Sequence, residues 1–348
     1  MSLTPPESSS QIENRLADWR QRALRFEQAT GQAVIGQSRI IRLITLALFA
    51  RGHVMLEGDV GVGKTTLLRA VARGLGGCYE RIEGTVDLLP GDLLYHTHIN
   101  QHGKPQIDPG PLLKHGEDLA VFFFNEINRA RPQVHALLLR VMAERQVQAF
   151  NREYRFPYLQ VFADRNRIER EETFEIPLAA RDRFMLELSV EIPAGADLQR
   201  DLLFDTRFHD VDDLIGGIDP GLIDYHGVAS LSSRIQTFVQ ASPTLQDYVR
   251  HLWQATRTPV EWGITLEGVD MRHLIKAGAS PRGMSLMLRA ARVAAWLAGR
   301  DHLLPEDIHL VFTPAVAHRV FLNPVYVFGR EDLKTELLRA ILRQVAAP

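Results

Sequence analysis

The chain has 348 residues, 45% of them hydrophobic and 24% charged, with a formal net charge of −2. This is globular composition, longer than one ordinary domain needs, and it gives no global electrostatic drive toward nucleic acid or an anionic membrane. The single cysteine, Cys78, excludes an intrachain disulfide and a cysteine-cluster metal site; it suits a reducing cytoplasm and reads as a small buried apolar residue.

Residues 1–11 are rich in Ser and Pro, have neither the basic nor the apolar segment of a signal peptide, and read as a disordered tail. Residues 12–28 have helix-forming composition. Val34-Ile35-Gly36-Gln37 then leads into a helical pattern over residues 38–49, with Ser38 as the expected N-cap. The best apolar run, residues 40–55, is broken by Arg42, Arg51 and His53 and is too short to span a membrane.

His53-Val54-Met55-Leu56-Glu57 reads as a buried strand. It runs into Gly58-Asp59-Val60-Gly61-Val62-Gly63-Lys64-Thr65, and residues 66–75 follow with apolar side chains at helical spacing. Strand, glycine-rich loop and helix are the setting that G-x-x-x-x-G-K-[ST] requires. A nucleoside triphosphate needs a concave cradle of backbone N–H groups, so side chains at the turn must be small. Lys64 can reach the β- and γ-phosphates, the Thr65 hydroxyl can ligate Mg²⁺, and the following helix, through Thr66, presents its partially positive end.

Residues 79–83 form a candidate second strand. Residues 96–111, rich in Gly, Pro and polar side chains, read as an inserted hairpin or loop in which His96, His98 and His102 are solvated rather than metal ligands. Leu119-Ala120-Val121-Phe122-Phe123-Phe124 is continuously apolar, the mark of a strand buried on both faces. It ends in Asn125-Glu126, which places Glu126 to polarise a water against the γ-phosphate. A helix over residues 132–145, a hairpin over 147–158 centred on Asn151, a strand over 160–163, a short helix over 178–183 and a last strand over 184–189 complete the alternation. Such alternation predicts a parallel α/β sheet.

After Pro193 the strand signals stop. Helical pattern covers residues 222–238, 245–256, 281–297, 305–317 and 331–346, with residues 204–220 as a long connection. The predicted organisation is a tail (1–11), an α/β domain with its N-terminal helix (12–193) and an all-α domain (194–348). Trp253, Trp262 and Trp296 are expected in the helical core, and His318-Arg319 in packing rather than catalysis.

The order of short motifs resembles the AAA+ ATPases, and among them the MoxR group, over residues 34–321. The motifs are Val34-Ile35-Gly36-Gln37, the phosphate loop, Asp87-Leu88-Leu89-Pro90 with Asp92-Leu93, Pro109-Gly110-Pro111, Glu126-Ile127-Asn128-Arg129-Ala130, Met142-Ala143-Glu144-Arg145-Gln146-Val147, Asn166, Asp182-Arg183-Phe184 and Ala279-Ser280-Pro281-Arg282. The resemblance implies a P-loop AAA+ parallel-sheet domain flanked by helices and followed by an α-helical lid. It implies ATP and Mg²⁺ as ligands, with Val34, Ile35 and Gly36 near the adenine. Asn166 would be sensor 1, Arg183 an arginine finger offered to the next subunit, and Arg282 sensor 2 on the lid. A finger acting in trans implies a homo-oligomeric ring, usually a hexamer, and the two inserted hairpins would face the pore or the client.

Family members resemble chaperones that mature, activate or insert cofactors or metals into partner complexes. These partners commonly carry von Willebrand A domains; methanol dehydrogenase is the dehydrogenase assisted by the name-giving members. Related rings include nucleic-acid motors and porphyrin metal chelatases; near-neutral charge and the lack of a nucleic-acid module disfavour the first, and the second needs partner subunits. This chain departs from the family where most members have Asp-Glu: Asn125 keeps the shape but not the charge that helps hold Mg²⁺. A nucleotide-dependent assembly scaffold with weak hydrolysis is the alternative that Asn125 raises, and Asp164 is a candidate for restoring the charge. A second departure is Arg167, Glu172 and Glu175, in a stretch where members often have Gly and Pro.

Overall fold

The computed structural model describes residues 9–166, 174–328, 330 and 332–348. Arg167 and Glu172, and most of the Ser/Pro-rich tail, lie outside the described residues.

The first half of the chain alternates helix and strand. In order come α1 (Ser9–Ala33), α2 (Ser38–Phe49), β1 (His53–Glu57), α3 (Lys64–Leu75), β2 (Cys78–Glu83) and the hairpin β3 (Tyr95–Ile99) and β4 (Pro105–Pro109). Then follow β5 (Leu119–Asn125), α4 (Pro132–Glu144), the hairpin β6 (Gln146–Ala149) and β7 (Arg152–Arg155), β8 (Gln160–Arg165), α5 (Leu178–Arg181) and β9 (Phe184–Ser189). The second half is α6 (Ala196–Phe204), α7 (Val211–Gly216), α8 (Tyr225–Phe238), α9 (Pro243–Arg257), α10 (Met271–Leu274), β10 (Ile275–Ala277) and α11 (Pro281–Leu297). It ends with α12 (Pro305–Val316), β11 (Phe321–Leu322), α13 (Pro324–Val327) and α14 (Leu333–Gln344).

The main sheet has the order β2-β5-β8-β1-β9, all pairs parallel. Because successive side chains of a strand point to opposite faces, β5 feeds two cores. Val121 and Phe123 join the core formed with α1, α2, α3 and the later helices. Phe122 and Phe124 join a second core with α4 and the inserted segments. Parallel strands therefore end together at one edge, and the loops after β1, β2, β5 and β8 meet there.

The first core is continuous from the N-terminal helix into the helical lid. Trp19, Phe49 and Trp296 meet in sequence, edge-on and then tilted, with ring centroids 6.3 and 5.2 Å apart, and the Trp296 indole donates to the Leu16 carbonyl at 3.2 Å. Trp253 and Trp262 pack against this core but are only partly buried.

Several local expectations are corrected. Helix α1 begins at Ser9, so residues 9–11 belong to it and not to the tail. Gln37, not Ser38, precedes α2, and its side chain makes no cap; it donates instead to the Glu191 carbonyl at 2.7 Å. Residues 204–220 are not a plain connection: α7 lies within them, capped by Asp210, whose carboxylate accepts from the Asp212 and Asp213 N–H groups. Strand structure does not stop at Pro193, because β10 and β11 form a short antiparallel ladder beside the lid helices. Cys78 is half-buried on the edge strand rather than buried.

Candidate nucleotide-binding site

The loop between β1 and α3 uses its glycines for two different reasons. Gly61 and Gly63 have φ of +83° and +88°, where an L side chain costs about 1–2 kcal/mol. Nothing lies within 4 Å of a Cβ built there, so the requirement is conformational. Gly58 is required by close approach: a Cβ would sit 2.4 Å from the Val190 carbonyl oxygen. No side chain caps α3, so the N–H groups of its first turn are left to an anion.

Lys64 is 7% exposed and its ammonium is ringed by oxygens. It donates to the Gly58 carbonyl at 2.6 Å, to Asn166 Oδ1 at 2.8 Å and to the Asp59 carbonyl at 3.3 Å. Asp164 Oδ2 stands 3.4 Å away. These are the bonds phosphate oxygens would have to replace.

At the end of β5, Glu126 adopts the left-handed region with φ of +51°, a conformation that costs about 1–3 kcal/mol. Its N–H is held by Asp164 Oδ1 at 2.6 Å. Its carboxylate accepts from Asn166 Nδ2 at 3.2 Å and from Arg129 Nη1 at 2.8 Å. Asn166 thus links Lys64 to Glu126: its oxygen takes the ammonium and its nitrogen gives to the carboxylate.

Asp164 is 1% exposed. Burial pushes its carboxyl above the usual range, against the opposing pull of the Glu126 N–H and Lys64. Both oxygens are therefore engaged with protein groups. Asp164 holds the Glu126 backbone through Oδ1 and faces the lysine through Oδ2.

Asn125 donates through Nδ2 to Glu83 Oε1 at 3.0 Å. The two residues are paired in register across β2 and β5. Residues 59–66 line one cleft with Arg81, Glu83, Asn125, Glu126, Asp164 and Asn166. Glu83 and Arg81 escaped the sequence reading because a Glu at a strand end is unremarkable by itself; only the register with Asn125 singles it out. Thr65, Asn125, Glu83 and Glu126 offer hard oxygen donors, the chemistry that suits Mg²⁺.

The remaining expected site residues lie elsewhere. Val34 is buried, Gln37 donates to the Glu191 carbonyl, and residues 34–37 are not among those lining this cleft. A Cβ at Gly36 would sit 2.4 Å from Pro193 Cγ. Arg183 donates to the Ala179 carbonyl at 2.6 Å and does not line the cleft. Arg282 is more than half exposed and reaches Asp182 Oδ2 at 3.3 Å.

Asp182 is the meeting point on the lid side. Its Oδ1 accepts from Ser280 Oγ at 2.6 Å and Arg319 Nε at 3.0 Å. Ser280 in turn caps α11 by accepting from the Gly283 N–H at 2.9 Å. Arg319, 2% exposed, also donates to the carbonyls of Asp182 at 2.8 Å, Phe184 at 2.6 Å and Met185 at 3.3 Å, and to Ala315. His318 beside it bonds the Phe184 carbonyl at 3.0 Å, and burial holds its imidazole down to about 3. Both residues pack the lid against β9, as the sequence predicted.

The chain matches the model of the ATPase family associated with various cellular activities (AAA) over residues 53–186, and that of the AAA lid domain over residues 271–339. It is 60% identical over 333 residues to Protein MoxR of Methylorubrum extorquens, covering 96% of this chain and 97% of that one. It is 54% identical to Protein MoxR of Paracoccus denitrificans over 97% of this chain and 99% of the other. Chaperone MoxR1 of Mycobacterium tuberculosis is 31% identical over 90% of this chain and 79% of that protein. Among solved structures, a Cytophaga hutchinsonii protein provisionally assigned as an ATPase superposes with a TM-score of 0.82 at 27% identity, covering 97% and 98% of the two chains.

Proposed function

The chain belongs to the MoxR family of AAA ATPases, and from that membership we propose that it couples ATP binding and hydrolysis to chaperone-like remodelling of a partner protein complex. The observation that carries the reading is the hydrogen-bonded run Lys64–Asn166–Glu126. It joins the phosphate-binding cation to the carboxylate that would activate water.

In this mechanism Lys64 exchanges its oxygen partners for the β- and γ-phosphates, and the first turn of α3 donates its free N–H groups to them. Thr65 and Asn125 would hold Mg²⁺, which supplies charge neutralisation on the phosphates. Glu126, kept in place by Asp164, takes the proton of the attacking water. Asn166 orients that carboxylate and the γ-phosphate. Arg183 reaches the nucleotide of the neighbouring subunit and stabilises charge on the transferring group. Arg282 leaves Asp182 to report the nucleotide to the lid. Residues 34–36 form the wall near the adenine, and the described lid, residues 194–348 as a unit, closes over it.

This scheme needs a homo-oligomeric ring, of which a hexamer is the reading the family favours. The name of the M. tuberculosis relative supports a chaperone role. The client we infer is a complex that needs maturation or cofactor or metal insertion, such as a dehydrogenase, with a von Willebrand A domain as docking partner. We place this work in the cytoplasm, without membrane insertion; no described helix is long and apolar enough to cross a membrane. Nucleic acid is not part of the reading.

The second reading is a nucleotide-dependent assembly scaffold with weak turnover, favoured by the neutral amide at residue 125. Steady-state ATP hydrolysis across a Mg²⁺ titration, with Glu126→Gln as the blank, separates the two. Turnover above that blank supports the remodelling ATPase. Nucleotide binding without turnover at any Mg²⁺ concentration supports the scaffold.

A further inference from the structure

We propose that Glu83 supplies the negative charge that the metal-binding end of β5 lacks, and that Asn125 is neutral because it positions Glu83. The inference rests on the ATP·Mg²⁺ reading of the cleft.

Three features place the charge at residue 83. The parallel register of β2 and β5 sets Glu83 beside Asn125 at the strand ends. The turn after β2 is pressed against the end of β5: the Gly84 N–H donates to the Asn125 carbonyl at 2.7 Å, and a Cβ at Gly84 would sit 2.2 Å from the Glu126 carbonyl oxygen. Only glycine allows the two strand ends to meet this closely, and that closeness brings Glu83 to the wall of the cleft. Finally, Asp164 spends Oδ1 on the Glu126 N–H and stands against Lys64 through Oδ2, while the Glu126 carboxylate is engaged by Asn166 and Arg129.

The amide at residue 125 follows from the same geometry. Its Nδ2 donates to Glu83 at 3.0 Å, which leaves Oδ1 as a neutral oxygen donor. An aspartate there would face Glu83 as a second anion at hydrogen-bonding distance, and like charges that close oppose each other's ionisation. One negative charge is accommodated by this pair, and the chain carries it on the edge strand. Arg81 takes the other oxygen of Glu83, Oε2, at 3.1 Å, and its guanidinium lies 5.7 Å from the Phe123 ring centroid. Arg81 thereby fixes the carboxylate while leaving Oε1 turned toward Asn125.

The test is Mn²⁺ binding to the full chain with ADP, read by electron paramagnetic resonance as free against bound metal. Glu83→Gln is expected to weaken Mn²⁺ binding about 10- to 100-fold, the effect typical of losing a partner of a metal ligand. ADP affinity in EDTA should stay unchanged. Asn125→Asp alone should give no tighter Mn²⁺ binding. Combining Glu83→Gln with Asn125→Asp should recover most of the loss, an exchange that a merely structural role would not rescue. Glu83→Gln with unaltered Mn²⁺ affinity, or a combined variant as weak as the single one, overturns the proposal. Absence of ADP binding by the unmodified chain overturns the parent reading and this one with it; ADP binding with a silent Glu83→Gln overturns this one alone.

Discussion

Replacing Asp164 by alanine separates two roles for one carboxylate. Its Oδ1 accepts the Glu126 N–H at 2.6 Å and so fixes a non-glycine residue at φ +51°. A hydrogen bond to a buried charged acceptor contributes about 1.5–3 kcal/mol, against about 1–3 kcal/mol for the left-handed conformation it holds. The two are comparable, so without Asp164 the Glu126 backbone is free to relax and its carboxylate leaves the line from Asn166. A misplacement worth about 1.4–2.7 kcal/mol at the transition state lowers kcat about 10- to 100-fold. The assay is steady-state ATP hydrolysis, with fluorescent ATP-analogue binding measured alongside it. The expected result is a fall in kcat with the Mg²⁺ midpoint unmoved, and Asp164→Asn, which retains an acceptor oxygen, should lose less. If Asp164→Ala keeps kcat within about twofold of the unmodified chain, or moves the Mg²⁺ midpoint with kcat intact, the positioning argument is wrong.

Arg183→Ala should retain nucleotide binding and lose turnover, and mixing it with Lys64→Ala chains should restore turnover at mixed interfaces; no recovery in the mixture would place the finger elsewhere. Asp182→Asn removes the anion shared by Ser280, Arg282 and Arg319. It should lower stability by about 1–3 kcal/mol, measured as a shift of the urea midpoint; an unmoved midpoint would show that the four carbonyls around Arg319 suffice. Burial holds His53 and His318 at about 3, so the unfolded chain binds protons there that the folded chain refuses. Stability should therefore be full above pH 6.5 and fall toward pH 3, by up to about 1.4 kcal/mol per pH unit for each histidine. Urea titrations at pH 7 and 5.5 check the slope, which His318→Gln should reduce by about half.

The parts of this fold that show in the sequence are those with a repeating signal or a demanding local chemistry. The run from Leu119 to Phe124 announces a strand because both of its faces are buried. The loop from Gly58 to Thr65 announces itself because few residue types survive its dihedral angles and close contacts. Helix α7 has only six residues and buries Ile215 alone, so no periodicity betrays it. The ladder of β10 and β11 is too short for alternation to register. Gln37 rather than Ser38 stands at the N-cap of α2, and a distant carbonyl, that of Glu191, takes its side chain. Glu83 was hidden for the same reason: its meaning lies in a strand 42 positions away, and a single sequence carries no record of register.

The ring contacts of Trp19, Phe49 and Trp296 bear on how the proposed remodelling would be driven. They join α1, the end of α2 and the lid helix α11 into one stiff piece. A stiff piece stores little elastic energy, so a displacement at its nucleotide face arrives undiminished at its far surface. The compliant joints of the proposed machine then lie away from these three rings. Loosening the bolt, as Trp296→Ala would, turns a lever into a spring and should uncouple force from turnover even where the chemistry is untouched.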